Sequence, residues 1–147
     1  MGLKMKPRKL NRNASKIFRE LMSKQKNDHV KIDMGCDSLL PLVLERVAKG
    51  IEFMGDTYDE YSLAHYGKQN GDVMRDPEQV FMVNSKEIIP YSYRNDYVGA
   101  DKYSIRWSEM GPIIDYTAQK DDTEFANEWL TTGVTDWLEN GEYKYLS

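Results

Sequence analysis

An α+β fold, with a mainly antiparallel sheet and an amphipathic helix near each end of the chain, is predicted by three features of the sequence. Apolar residues recur at helical spacing near both ends: Ile17, Phe18, Leu21 and Met22, then Phe125, Ala126, Trp129 and Leu130. Between these stripes, short apolar runs alternate with polar residues at the period of half-buried strands. The signals separating the runs are turn-length, whereas parallel strands need longer crossovers. Both helices are expected on one face of the sheet.

The elements follow in order. Residues 1–12, with Pro7 and clustered charge, read as a flexible basic arm, and residues 13–147 as a single domain. Asn13 or Ser15 caps the first helix, which ends near Gln25, with Lys24 and Lys26 suited to the negative end of its dipole. Val30, Ile32 and Met34 mark a strand, and residues 35–38 a turn. Residues 39–48 read as a strand because Pro41 opposes a helix interior. Strands at 51–54 and 61–66 flank an acidic loop at 55–60. Residues 79–83 and 88–94 form a hairpin around Asn84-Ser85-Lys86-Glu87.

A bend at Asn95-Asp96 leads into one extended segment through Tyr103, Ile105 and Trp107, and Gly111-Pro112 breaks the chain again. Asp121 or Asp122 caps the last helix, whose apolar face continues through Val134, Trp137 and Leu138. Gly133 and the threonines beside it favour a kink there.

The chain of 147 residues is long enough to bury a core without metal or disulfide staples, and 40% hydrophobic with 30% charged residues is a globular composition. Cys36 is the only cysteine, which excludes an internal disulfide and a multi-cysteine zinc site and favours a reducing, cytoplasmic setting. As a nucleophile Cys36 would need His29 or His65, and nothing frames either as its partner. No apolar run reaches the ~20 residues that cross a bilayer, so no membrane association is expected. No secretory signal is expected either, because no apolar stretch follows the basic start.

Charge is divided unevenly. Of the 20 Lys and Arg, nine lie at or before Lys26, where Glu20 is the only acid; the other 11 share the rest of the chain with 23 acids. A basic arm on an acidic body allows weak, non-specific nucleic-acid contact through the arm, while the body repels phosphate.

The most unusual stretch runs from Tyr61 to Val83. It crowds His65, Asn70, Asp72, Arg75, Asp76 and Glu78 around two glycines and a proline. Asn70-Gly71-Asp72 has the residue types of a tight turn. His65 is expected to donate to a backbone carbonyl, and Arg75 to pair with Asp76 or Glu78. The competing reading is a divalent-metal hydrolase or nuclease, with His65, Asp72, Asp76 and Glu78 converging on a hard cation. Against it, Phe81-Met82-Val83 stands where one large nuclease class has a lysine after its acid pair. Phosphate-loop, dinucleotide, zincin and serine-elbow motifs are absent. Tyr91, Tyr93, Tyr97, Tyr103 and Trp107 are spaced so that several share a sheet face, but basic residues interleave them too sparsely for base stacking.

The run SLAHYGKQNGDVMRDPEQVF resembles the signature of a family of small uncharacterised proteins from phages, plasmids and integrative elements. LPLVLERV before it, and IIPYSYRNDYVG and FANEWL after it, are similar to that family's other blocks. The resemblance implies a mobile-element setting and no particular activity. The expected function is therefore a non-catalytic protein-binding module acting on a host or element-encoded protein, with inhibition of a defence or nucleic-acid enzyme as a special case. No catalytic residue, metal or cofactor is assigned. The candidate binding surface is His65, Tyr66, Asn70, Asp72, Arg75, Asp76, Glu78, Tyr91, Asn95 and Asp96. The alternatives are the metal-dependent hydrolase and a nucleic-acid accessory factor using the arm.

Overall fold

A computed structural model describes residues 5–35 and 40–145. Cys36, Leu39 and most of the turn expected at 35–38 lie outside the described residues. Helix α1 (Arg12–Ser23) opens the fold, and Asn11 caps it by accepting the Ala14 N–H at 2.9 Å. Strands β1 (His29–Asp33), β2 (Leu42–Phe53), β3 (Asp56–Gln69) and β4 (Asp72–Val83) then run antiparallel. Strands β5 (Ile88–Pro90) and β6 (Ser92–Asn95) both lie beside β4, and β7 (Ala100–Tyr103) closes that edge of the sheet. Strands β8 (Ile105–Ser108) and β9 (Gly111–Ile114) form a separate hairpin. Helix α2 (Tyr116–Glu128), a π-helical turn (Trp129–Val134) and helix α3 (Thr135–Asn140) follow. Strand β10 (Glu142–Lys144) pairs with β1 at the opposite edge. The architecture is α+β with a mainly antiparallel sheet, as the residue pattern predicts.

Strand alternation builds a core on each face. Tyr61, Leu63, Phe81 and Val83 meet Phe18 and Leu21 of α1 and Leu130, Val134 and Leu138 of the C-terminal helices. On the other face Tyr58, Val80, Met82 and Tyr91 pack with Ile105 of the β8–β9 hairpin.

Several expectations are corrected. The acidic stretch 55–60 is no loop: Met54 and Gly55, at φ 48° and 85°, make a tight turn, and β3 starts at Asp56. Two of its three acids meet cations from elsewhere in the chain, Asp59 from Arg46 on β2 and Asp56 from Lys86 in the β4–β5 turn. The segment 88–94 is split at Tyr91, where the Ser92 Oγ accepts the Val80 N–H at 2.8 Å in place of a backbone partner. The segment through Tyr103, Ile105 and Trp107 breaks at Ser104, which hands the chain from β7 to the second hairpin. The last helix begins at Tyr116, capped by Asp115 rather than Asp121 or Asp122. Where a kink was expected, the chain forms the π-helical turn. Thr131, Thr132 and Thr135 hydroxyls bond back to carbonyls one turn earlier.

The basic segment is also corrected over residues 5–11, which lie against the body. Leu10 is buried and its N–H donates to the Ile88 carbonyl at 2.8 Å. Gln119 grips Arg8 twice, its Oε1 accepting the Arg8 N–H at 2.6 Å and its Nε2 donating to the Arg8 carbonyl at 2.8 Å. Charge density suggested a free arm; the buried amide overrides it.

Candidate functional site

The ten candidate residues fall into distinct places. Asn70 and Gly71, at φ 51° and 84°, form the two-residue turn joining β3 and β4, as a type I′ hairpin requires. Asp72 starts β4 opposite Gln69 and is exposed. One residue of β3, His65, then faces two of β4, Asp76 and Pro77, in a bulge with a cis Asp76–Pro77 bond.

Below the bulge, β4 meets β6. The Arg75 N–H and Nε both donate to Asp96 Oδ2, at 2.8 and 3.1 Å, and the Asp96 N–H returns to the Arg75 carbonyl at 2.9 Å. The backbone N–H of Arg75, then its side chain, hold the Asp96 carboxyl below its ordinary range. Arg94 approaches Asp96 at 3.5 Å and Asp101 at 3.9 Å. Asn95 Nδ2 donates to Asp76 Oδ1 at 2.9 Å. Glu78 accepts the Ser62 hydroxyl at 2.9 Å and faces Arg94 across the strands. Arg75 thus pairs with Asp96, not with Asp76 or Glu78, whose carboxylates accept from Asn95 and Ser62. Tyr66 shares the face of Arg75 and Glu78, half-buried, and burial raises its phenol.

The Tyr97 ring lies over Gly67, and its hydroxyl donates to the Lys68 carbonyl at 3.1 Å. A Cβ at Gly67 would crowd that hydroxyl, so any larger residue there has to displace the Tyr97 side chain. The two sequence blocks AHYGKQNGD and YSYRNDYVG therefore interlock at one end of the sheet.

Two candidates lie elsewhere. His65 stands on the helix-covered face between Trp137 and Trp129, with ring centroids at 4.6 and 5.7 Å. Among the described residues its buried Nε2 has no hydrogen-bond partner, in place of the carbonyl contact expected of it. Burial lowers its pKa to about 4, against a smaller opposing pull from Asp76. Tyr91 is 1% exposed, packed near Tyr103 and Trp107, and belongs to the core rather than to a surface. It occupies the break between β5 and β6, where its N–H donates to the Val80 carbonyl at 2.9 Å. His65, Asp72, Asp76 and Glu78 do not converge. Strand alternation sends His65 and Glu78 to opposite faces, and among the described residues no three His, Cys, Asp or Glu gather where an ion could sit.

A second convergence was not anticipated. A cavity of about 500 Å³ opens between α2 and the β6–β7 hairpin, lined by Tyr93, Lys102, Asp115, Asp121, Asp122 and Phe125, among others. Asp122, 8% exposed, forms part of its lining. Its Oδ2 accepts the Ser104 hydroxyl at 2.7 Å, and its backbone carbonyl accepts Gln79 Nε2 at 2.9 Å. Burial pushes the Asp122 carboxyl up to about 6, with Asp121 adding repulsion and Ser104 opposing. The signal was present in the sequence. Gln119, Asp122, Thr123 and Ala126 follow the i, i+3, i+4, i+7 pattern of a buried stripe. Reading Asp122 as a cap hid it.

The family described as a domain of unknown function, DUF6908, matches residues 12–132. The chain belongs to this family. The match takes in α1, the whole β1–β9 region, α2 and the start of the π turn, and so includes both the interlocked turns and the cavity. No curated protein and no solved structure matches the chain.

Proposed function

We propose that this DUF6908 chain is a non-catalytic protein-binding module of a mobile genetic element. It engages a host or element-encoded protein through the sheet end that carries the β3–β4 and β6–β7 turns. One observation carries this reading: exposed apolar side chains stand there beside charges already held by partners. Val73 and Val98 are 61% and 74% exposed, with Tyr97 exposed near them. Arg75, Arg94, Asp96 and Asp101 are engaged with one another, and Asp76 with Asn95. Aromatic residues and arginine beside apolar surface are the composition of an interface core. The dispersal of His65, Asp72 and Glu78 supports a binding role, because acid–base or metal-assisted chemistry needs its groups around one reacting atom. The mobile-element and cytoplasmic setting rests on the resemblance of the central segment to small phage, plasmid and integrative-element proteins.

A second reading, a nucleic-acid accessory role, draws on Lys6, Arg8, Lys9 and Arg12, all exposed on the docked basic segment. The acidic remainder of the chain makes it the weaker of the two.

The test is affinity purification of the tagged chain from cells carrying the element, beside a Val73→Asp/Val98→Asp double variant. A near-stoichiometric partner retained by the parent and lost by the variant, at unchanged melting temperature, supports the reading. Equal retention by the variant overturns the surface assignment.

A further inference from the structure

We infer that the cavity between α2 and the β6–β7 hairpin binds a small organic cation, an ammonium or guanidinium head on an apolar body. This goes beyond the sheet-end surface proposed above and does not depend on it. The walls suit the body of such a ligand: Tyr93 and Phe125 meet edge to face at 5.0 Å, flanked by Ala100 and Ala118. A volume of about 500 Å³ is of small-molecule size.

The polar groups suit its head. Asp115, Asp121 and Asp122 face one cation, Lys102, and Asp115 already holds that amine at 3.3 Å. Asp121 and Asp122 have no cationic partner among the described residues. Asp122 turns a dent with acidic residues into a built site. More than nine-tenths of it is buried, Ser104 occupies Oδ2, and Oδ1 accepts no hydrogen bond among the described residues. Oδ1 is not sealed in the interior, so an amine or guanidinium entering the cavity can give it a charge-assisted hydrogen bond.

Other ligand classes fit less well. The N-terminus of α2 borders the cavity and would favour an anion, but Asp115 Oδ1 accepts the Ala118 N–H at 3.0 Å and occupies that end with a carboxylate. The aromatic faces also attract cations and repel anions. A hard metal ion lacks a convergent set of three ligands among the described residues. The head group has two sources, a free amine or the Arg or Lys side chain of a partner, and the chemistry of recognition is the same for both.

The test uses the full chain, labelled with ¹⁵N and titrated with phenethylammonium, with 2-phenylethanol and phenylacetate as neutral and anionic controls. Saturable shifts of the Lys102, Ala118 and Phe125 amides are expected. The amine should bind at least tenfold more tightly than the alcohol, and phenylacetate should not bind. Asp122→Asn should weaken the amine at least tenfold and Asp121→Asn severalfold. Should Asp122→Asn fail to fold, Asp121→Asn and Phe125→Leu, both at exposed positions, carry the test. Absence of saturation, equal affinity for amine and alcohol, or unchanged affinity in the folded variants overturns the inference. Agmatine and N-acetyl-arginine-methylamide separate the sources. Tighter agmatine binding assigns a free amine, tighter binding of the capped residue assigns a partner's side chain, and binding of neither removes the guanidinium from the ligand class.

Discussion

Residues 65–78 and the inner stripe of α2 handle polar groups in opposite ways. In the first, ionisable residues are neighbours in sequence and part company in space: His65 goes to the helix-covered face, Glu78 to the other, and Asp72 to a turn. In the second, Gln119, Asp122 and Thr123 sit among unremarkable surface residues and are buried together along one stripe. A strand scatters what is adjacent, while a helix gathers what is three or four apart. Dense polar sequence is therefore a poor guide to a site when it lies on a strand.

Each region buries one titratable group, and their pH dependences oppose. Asp122 is raised to about 6 from an ordinary 3.8, so its protonation stabilises the fold. That contribution is complete below 3.8 and is lost as pH rises through 6. His65 is lowered to about 4 from 6.5, so its contribution is complete above 6.5 and is lost as pH falls through 4. Each is worth about 3 kcal/mol at most, and between pH 4 and 6 they largely cancel. Urea denaturation across that window should find the parent nearly level. Asp122→Asn should leave a curve rising with pH, and His65→Phe a curve falling with pH. Parallel curves in the two variants would break the contrast.

Smaller effects sharpen it. Gln119→Leu leaves the Pro90 and Arg8 carbonyls and the Arg8 N–H without their partner, and a loss of about 2–3 kcal/mol should appear in the urea midpoint. Gly67→Ala pushes a methyl into the Tyr97 hydroxyl and should cost about 1–2 kcal/mol, with Tyr97→Phe in the same background recovering part of it. Arg75→Ala removes a half-buried ion pair and should cost about 1 kcal/mol. Asp72→Ala, at an exposed strand start, should stay within about 0.5 kcal/mol. A loss at Asp72 as large as that at Gln119 would mean that the turn region is structural throughout.

What was legible in the sequence follows from the same contrast. Apolar periodicity located α1, because Ala14, Phe18 and Leu21 are all buried on one stripe, and it located β1 and the end of β4, while β2 is one strand where two, at 39–48 and 51–54, were expected. Turn chemistry located Asn70-Gly71. Periodicity could not reveal that Asp56 and Asp59 continue a strand, since the cations that answer them come from other elements. Nor could it bring Arg75 to Asp96, 21 residues away, or fix the start of α2, which Asp115 caps in place of the expected Asp121 or Asp122. The cavity was illegible for a related reason: its walls come from β6, β7 and α2, and no single stretch of sequence contains them.

The Gln119 grip on Arg8 has a consequence for how the protein is made. Its two hydrogen bonds close a loop of 111 residues. Residues 5–11 cannot seat until α2 has been synthesised, because Gln119 lies 111 residues after Arg8. Contacts of such long range also slow folding, because the entropy of closure is lost before the contact repays it. Because those bonds hold the Arg8 backbone and not its guanidinium, docking fixes the path of the segment and leaves the Lys6, Arg8 and Lys9 side chains exposed.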